Sequence, residues 1–350
     1  MSERTTEPLS AVSRTSIFVA AGRAVGAREP DPAARNPDDL AERLLGDPSS
    51  LDLDHPAVRA LALPYDEAMK DVEVVSNVRM MTVRTRFIDE ALTRAVHGGA
   101  SQVVILGAGF DSHAYRCQEL LAPVRVFEVD RPVTQAVKTQ RVREVLGGPP
   151  ANVTYVPIDF QREDLAAVLS RHGYDPAQRT FFILEGVTMY LREEAVRGTL
   201  RFVASHPPGS GIVFDFVYRA IIDMLERIDV NNVPAAAKPF VQRFLDLIRD
   251  EPWVFGIPTG KEREFLAECG LDLRELLTVG GKDSIDRYLT RADGTQVGAE
   301  AIAQAMARMA ERARAAGQTA PDAPQAPPER TQEQQRLMAY QLTEAFVAHP

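Results

Sequence analysis

Residues 103–111 read VVILGAGFD, and this stretch indicates the fold. Four apolar residues run directly into Gly107, Ala108 and Gly109, and Asp111 closes the stretch. An apolar strand that leads through Gly-x-Gly into a helix brings backbone N–H groups close to a ligand. The dinucleotide fingerprint has a third glycine three residues after the second, but Ser112 stands there. The stretch therefore predicts either a plain tight turn or a ligand-binding turn that is not of the usual nicotinamide type.

Short apolar segments alternate with helical segments along the middle of the chain. The expected strands are 102–106, 124–129, 153–158, 181–184 and 211–217, and the expected helices between them include 132–146, 161–171 and 192–205. This alternation predicts a parallel sheet that is covered by helices on both faces. Further helices are expected at 16–25, 66–97, 219–250, 261–268, 299–316 and 331–347.

Acidic residues stand at the ends of the strands that follow the glycine turn. Asp130 ends the second strand, Asp159 the third and Glu185 the fourth. Any one of them could simply cap the next helix. However, open parallel sheets bind ligands outside the carboxyl ends of their strands. Successive strands that end in glycine or an acid therefore favour a binding site along this edge.

The composition limits the partners. The chain has 350 residues, a formal net charge of -9 and 45% hydrophobic residues. An acidic surface repels phosphates, so a nucleic acid is not expected as a partner. No apolar run approaches the roughly 20 residues of a membrane helix, and the N-terminus lacks a signal-peptide pattern, so we expect a cytoplasmic protein without a membrane partner. Cys117 and Cys269 form no CxxC motif and the histidines are scattered, so no metal site is predicted.

The motifs GAGFD, EVD, DF and EGVTMYL, in this order and spacing, resemble the leucine carboxyl methyltransferase-like family of class I S-adenosylmethionine (SAM)-dependent methyltransferases. VRTRFID at 83–89 is similar to the same family. SRTSIFVAAGRAV at 13–25 resembles its actinobacterial branch, and YLTRADGTQVG at 288–298 resembles polyketide-tailoring members. The resemblance extends over about residues 12–298.

The resemblance implies an α/β fold of the class I methyltransferase (Rossmann-like) type. This is a doubly wound, mostly parallel sheet with an N-terminal helical cap and with inserted helices over the sheet edge. We expect the cap at 1–97, the SAM-binding core at 98–298 with a substrate-cap insertion at about 219–270, and a C-terminal helical extension at 299–350 with a Pro-rich linker at 317–330.

The resemblance also implies which residues hold SAM. Arg84 would bind the methionyl carboxylate, Asp130 the ribose hydroxyls, and Asp159 with Phe160 the adenine. Without the motif, Arg84 would be interpreted as a surface ion pair with a nearby acid of its own helix. One guanidinium and several carboxylates complement the charged and polar groups of SAM. The predicted cofactor-binding set is Arg84, Gly107, Ala108, Gly109, Asp111, Glu128, Asp130, Asp159, Phe160 and Glu185.

The predicted activity is O-methylation, by in-line displacement, of a carboxylate or hydroxyl on a small acceptor of natural-product type. A carboxylate is already a nucleophile at neutral pH, so alignment and desolvation would suffice. A phenol would benefit from a base, for which His113 and Glu185 are candidates. Two alternatives stay open: methylation of a protein C-terminal carboxylate, and a nicotinamide-dependent oxidoreductase. The missing third glycine and the lack of a Tyr-x-x-x-Lys pair count against the second.

Candidate acceptor residues follow the fourth and fifth strands. Glu185, Tyr190 and Arg219 are the predicted catalytic residues, because Arg219 could pair with an acceptor carboxylate. The pocket candidates are Tyr190, Tyr218, Arg219, Trp253 and Phe255.

The C-terminal segment has its own apolar pattern. The helix expected at 331–347 places Leu337, Met338, Leu342 and Phe346 on one stripe. We expect this stripe to dock on its own chain or on a neighbouring subunit, which would make the protein a homo-oligomer.

Overall fold

The computed structural model describes residues 13–51, 53–160, 162–233, 238–315 and 340–347. Its centre is a seven-stranded sheet in the order β3-β2-β1-β4-β5-β7-β6. The strands are β1 (Gln102–Leu106), β2 (Arg125–Asp130), β3 (Val153–Pro157), β4 (Thr180–Leu184), β5 (Gly211–Phe216), β6 (Leu271–Thr278) and β7 (Gln341–Val347). The neighbours from β3 to β5 are parallel, and β7 is antiparallel to both β5 and β6.

Helices precede, connect and follow the strands. Those before β1 are α1 (Arg14–Gly26), α2 (Ala41–Leu45), α3 (Pro56–Arg59), α4 (Tyr65–Ala68) and α5 (Val72–His97). Those between β1 and β5 are α6 (His113–Arg116), α7 (Gln118–Leu121), α8 (Pro132–Leu146), α9 (Leu165–Arg171) and α10 (Glu193–Ala204). The later helices are α11 (Arg219–Arg227), α12 (Lys238–Leu247), α13 (Glu262–Ala267), α14 (Lys282–Tyr288) and α15 (Ala299–Ala315). Within the described part of the chain, no helix combines the length and apolar character needed to cross a membrane.

Period-two alternation in the strands produces two buried layers. In β1, Val103 and Ile105 pack in the cluster that contains α1 and α5 residues, whereas Val104 and Leu106 pack in the cluster on the other face. All five β1 residues are buried, as expected for a strand with helices on both sides. The strand order reverses between β1 and β4, and this reversal creates a crevice at the carboxyl ends. The predicted fold class is confirmed.

The prediction of a helix over 331–347 is wrong for residues 341–347, which form β7. Residues 331–339, with Leu337 and Met338, lie outside the described residues. Leu342 pairs with Asp215 of β5 and with Leu277 of β6, so β7 lies inside the sheet. Leu342 and Ala345 are fully buried in opposite layers. This segment is therefore part of the core and does not form the docking helix that the sequence suggested.

Candidate active site

A cleft of about 670 Å³ lies at the carboxyl ends of β1 to β4 and extends toward the start of β7. Small-molecule sites have volumes of about 300–1,000 Å³. The cleft is lined by residues of α1, of the loops after β1, β2, β3 and β4, of the α12–α13 connection and of the residue before β7. The predicted residues among them are Arg84, Gly107, Ala108, Gly109, Asp111, Asp130, Asp159, Phe160, Glu185 and Tyr190.

The glycine turn after β1 forms the floor of the cleft. Gly107 has φ +70° and Gly109 has φ +38°, both in the left-handed region that favours glycine. A Cβ on Gly107 would lie 2.7 Å from Cγ2 of Val187, so a larger residue would force Val187 or the turn to shift. The backbone at this turn can consequently approach a ligand closely.

Asp130 at the end of β2 is tied to this turn. Its Oδ2 accepts a 2.5 Å hydrogen bond from Gly109 N, and its Oδ1 accepts one of 2.6 Å from Arg131 N. Burial raises the pKa of Asp130, and these backbone donors oppose the rise. The carboxylate is oriented toward the cleft edge and keeps lone pairs for a hydroxyl-bearing ligand.

Arg84 of α5 lies at the centre of a buried ion-pair cluster. Its Nη2 lies 2.7 Å from Glu185 Oε1 and its Nη1 lies 3.0 Å from Asp215 Oδ2. The side chain is 3% exposed, which excludes the surface ion pair with Asp89 or Glu90 that the helix alone suggested. Arg84 Nε is buried without a hydrogen-bond partner among the described residues, so the guanidinium has a donor left for an anion.

Arg23 of α1 adds a second guanidinium to this cluster. Its Nη1 lies 3.2 Å from Glu185 Oε1, its Nη2 donates to the Phe110 carbonyl at 2.8 Å, and its Nε lies 2.8 Å from Asp38 Oδ2. Burial would raise the pKa of Glu185, but the charges of Arg84 and Arg23 outweigh burial and lower it. The lowered pKa makes Glu185 a weak proton acceptor, which argues against the role of a base that was considered for it.

His113, the other candidate base, lies between two carboxylates. Its Nδ1 is 2.7 Å from Asp111 Oδ2 and its Nε2 is 3.1 Å from Asp89 Oδ1. Burial would lower the pKa of His113, but these charges raise it well above its usual value. The same ion pair lowers the pKa of Asp111, although burial opposes this. The imidazole is thus a cation that is held by its neighbours, and it lacks a free lone pair for a proton.

Potential metal ligands of Asp111, His113 and Glu185 converge within 4.8 Å of one another. Each of these groups already has an oppositely charged partner in the protein. Together with Arg23 and Arg84 they form one buried ion-pair network.

Two further predicted cofactor residues differ in their position. Phe160 is 47% exposed after β3 and lines the cleft together with Asp159, as a stacking face beside a carboxylate would. Glu128 of β2 lies outside the cleft, contrary to its prediction as a contact. Its carboxylate is fully buried, 2.8 Å from Lys138 Nζ, and accepts a 2.8 Å hydrogen bond from Tyr115. Glu128 therefore links β2 to Lys138 of α8 and to Tyr115 of α6.

The acceptor-side predictions are only partly met by the structure. Tyr190 lines the cleft. Arg219, predicted as catalytic, lies instead in a separate cavity of about 300 Å³, where Asp223 and Glu226 pair with it. Phe255 also lines this second cavity, whereas Tyr218 and Trp253 are core residues. Arg219 is the first residue of α11, and its side chain pairs with Asp223 and Glu226 of the same helix.

Several cleft or cluster residues were missed by the sequence reasoning. They are Arg23, Asp215, Glu251 and Tyr340. Asp215 had a signal, because it is an acid within the apolar strand GIVFDF. Tyr340 had none, because its place depends on β7 joining the sheet from the far end of the chain.

The chain is similar to known proteins in sequence and in fold. Residues 16–204 match the family model "Leucine carboxyl methyltransferase". A "Putative S-adenosyl-L-methionine-dependent methyltransferase" of Mycolicibacterium gilvum is 34% identical over 252 residues, 68% of this chain and 75% of the relative. One of the same name from Mycolicibacterium vanbaalenii is 32% identical over 296 residues, 79% and 89% of the two chains. A crystal structure from Thermobifida fusca, described as a "putative methyltransferase", aligns with a TM-score of 0.48 at 16% identity over 93% of this chain and 98% of that one.

The fold, the cleft and the sequence relatives together define a SAM-dependent methyltransferase. This chain belongs to the leucine carboxyl methyltransferase family. Because the chain belongs to this family, the alternative of a nicotinamide-dependent oxidoreductase is not supported. The lining also suits the cofactor: Arg84 has an unpartnered Nε, the turn after β1 has glycines at positions 107 and 109, and Asp130 at the strand end can accept from hydroxyls.

Proposed function

We propose that the protein is an O-methyltransferase that transfers the methyl group of SAM to an oxygen of a small, natural-product-type molecule. The observation that carries the proposal is the division of the cleft along the sheet. The residues that complement the adenosine of SAM follow β1, β2 and β3, whereas Tyr190, Leu191 and Tyr340 lie at β4 and β7, on the other side of β1 in the sheet. Arg84 of α5, which contacts Glu185 and Asp215, lies between the two sides. One continuous cavity therefore has a cofactor half and an acceptor half.

The cofactor half would hold SAM through the residues predicted for it. Arg84 and Arg23 would bind the methionyl carboxylate, the Gly107–Gly109 turn would contact the same end, and Asp130 would accept from the ribose hydroxyls. Asp159 and Phe160 would contact the adenine. When bound, SAM supplies an electrophilic methyl group on a sulfonium. The chain's own contribution is to orient the donor and to exclude water.

The acceptor half is enclosed by two segments outside the sheet. Ser13 Oγ and Thr15 Oγ1 donate to Glu251 Oε2 at 2.5 and 2.9 Å, which links the start of α1 to the connection after α12. Arg14 Nη1 also donates to the Asp246 carbonyl at 3.4 Å. This cover favours a small acceptor over a protein C-terminus, which needs an open approach for the rest of its chain.

Calorimetric titration with SAM, followed by product mass after incubation with a panel of small hydroxyl and carboxyl compounds, tests the proposal. We expect stoichiometric SAM binding and a mass increase of one methylene in a hydroxyl or carboxyl compound. Methylation confined to amines or carbon atoms would contradict O-methylation, and failure to bind SAM would contradict the site.

A further inference from the structure

A buried lysine contacts the glycine turn from outside the cleft. The side chain of Lys138, on α8, is 2% exposed. Its Nζ lies 2.8 Å from Glu128 Oε1 and 3.3 Å from the Ala108 carbonyl oxygen. Ala108 lines the cleft, whereas Lys138 and Glu128 do not. The ammonium therefore reaches the middle residue of the Gly-x-Gly turn from the side that a ligand does not occupy.

This contact belongs to a peptide unit that is held at both of its ends. The Ala108 carbonyl accepts a hydrogen bond from Lys138 Nζ and a second one, of 2.7 Å, from Asp111 N. The N–H of the same peptide unit is that of Gly109, and it donates to Asp130 Oδ2 at 2.5 Å. Because a peptide unit is planar, the position of its carbonyl also sets the direction of its N–H. The orientation of the Asp130 carboxylate thus depends on how the carbonyl is held.

Lys138 also brings a positive charge close to Asp130. Burial raises the pKa of Asp130, and the Lys138 charge opposes this rise together with the backbone donors Gly109 N and Arg131 N. A carboxylate in its ionised form accepts stronger hydrogen bonds than a protonated one. The ammonium therefore favours the form of Asp130 that accepts from hydroxyls.

A buried lysine–glutamate pair adds little stability by itself. Both charges lose their hydration, so apolar side chains of similar size often stabilise a protein as well. The pair is nevertheless held firmly: Glu128 Oε2 accepts from Tyr115 OH at 2.8 Å, and Lys138 Nζ lies 5.4 Å from the centre of the Tyr115 ring. These contacts keep the ammonium next to the Ala108 carbonyl, which points to a role at the turn.

We propose that Lys138 is a positioning residue for the cofactor: it holds the Ala108–Gly109 peptide unit so that Asp130 presents its carboxylate to the ribose hydroxyls. This inference rests on the proposed SAM site, in which Asp130 accepts from those hydroxyls. It also gives a role to Glu128, which the sequence predicted as a cofactor contact. Glu128 orients Lys138 and does not touch the ligand.

Two nucleosides isolate the ribose contact on the full chain. Adenosine and 2′,3′-dideoxyadenosine differ only in the two hydroxyls that Asp130 would bind, and ligand-detected NMR measures their affinities. Lys138→Met removes the ammonium and keeps a long side chain, and a double variant that adds Glu128→Gln leaves no unpaired charge. Arg141→Met on the same helix is the matched control, because Arg141 pairs with Glu144 outside the cleft lining.

We expect the wild type to bind adenosine at least about tenfold more tightly than 2′,3′-dideoxyadenosine. In Lys138→Met and in the double variant, this ratio should fall to about threefold or less while the affinity for 2′,3′-dideoxyadenosine stays the same. Arg141→Met should keep the wild-type ratio. A lysine that only stabilises the fold would lower the free energy of unfolding and leave the ratio unchanged, and this result overturns the proposal.

An equal loss of affinity for both nucleosides also overturns the proposal. If Lys138→Met alone does not fold, the double variant carries the test, and an unfolded double variant would make Lys138 a structural residue. SAM titration of the wild type separates these results from a failure of the proposed function. Intact SAM binding with an unchanged ratio in the variants rejects only the role of Lys138, whereas a wild type that does not bind SAM rejects the methyltransferase site itself.

Discussion

Arg84 Nη2 lies 2.7 Å from Glu185 Oε1 in an environment where their side chains are 3% and 9% exposed. The contact joins α5 to the end of β4, and the second Arg84 contact, with Asp215, adds β5. One guanidinium thus fixes three elements at the cleft. Because each carboxylate is buried, removal of the cation leaves charges that water cannot solvate.

Arg84→Lys should impair SAM binding nearly as strongly as Arg84→Ala, because an ammonium cannot span Glu185 and Asp215 as the planar guanidinium does. We expect a loss of about ten- to a hundredfold in affinity, and a loss of about 3–5 kcal/mol in the free energy of unfolding for the alanine variant. Calorimetry and denaturant unfolding measure the two effects.

Arg86→Lys, two residues along the same helix, is the matched control and should bind SAM normally, because Arg86 bonds to backbone carbonyls outside the cleft. Wild-type SAM affinity in Arg84→Lys would show that the guanidinium geometry is irrelevant.

Asp130→Ala should weaken the binding of both SAM and 5′-methylthioadenosine by about ten- to a hundredfold, because both carry the ribose hydroxyls. Arg84→Ala should weaken only SAM, since methylthioadenosine lacks the methionyl carboxylate. The comparison separates the two ends of the cofactor half. Unchanged methylthioadenosine affinity in a folded Asp130→Ala protein would refute the ribose assignment.

Gly107→Ala should destabilise the protein more than Gly147→Ala does. Both glycines have positive φ, +70° and +81°, so each alanine pays about 1–2 kcal/mol of backbone strain. The Gly107 variant also forces a Cβ to 2.7 Å from Val187, whereas nothing lies within 4 Å of the Gly147 position. SAM affinity should fall only in Gly107→Ala. Equal unfolding free energies and affinities would show that the turn can relax.

His113→Gln should cost most stability in acidic to neutral solution. The pKa of His113 is raised in the folded protein above its unfolded value of 6.5 by Asp111 and Asp89, against the effect of burial. The stabilisation is therefore complete below pH 6.5 and disappears as the pH rises through the folded pKa. The difference in unfolding free energy between wild type and variant should shrink steadily above pH 6.5. A difference that grows over this range would mean that the buried imidazole is neutral.

Leu342→Ala should lower the free energy of unfolding by about 2–5 kcal/mol, as for a fully buried leucine. Met306→Ala on α15 is the control, because Met306 is 49% exposed and its loss should change stability little. Similar small effects at the two positions, measured by denaturant unfolding, would place residues 341–347 outside the core.

The local patterns predicted the parallel half of the molecule well. The apolar runs that became β1 to β5 are short and bounded, and α8 begins at Pro132 and ends at Leu146 as the sequence indicated. Gly107 and Gly109 have positive φ angles. Because this conformation is a property of the local backbone, the Gly-x-Gly motif was enough to identify the two positions. These features are encoded within about ten residues of chain, and burial on both faces confirms them.

The sequence by itself determined the five parallel strands, the glycine turn and the acids at the strand ends, because each depends on the order of neighbouring residues. Only the tertiary structure decided where Arg23, Tyr340 and Glu251 meet, and that Arg219 points into another cavity. The stretch QLTEAFV fits both a helical stripe and a strand, and the free edges of β5 and β6 selected the strand. Backbone hydrogen bonds to two neighbouring strands and burial on both faces outweigh the local preference, and these partners lie more than 60 residues away in the chain.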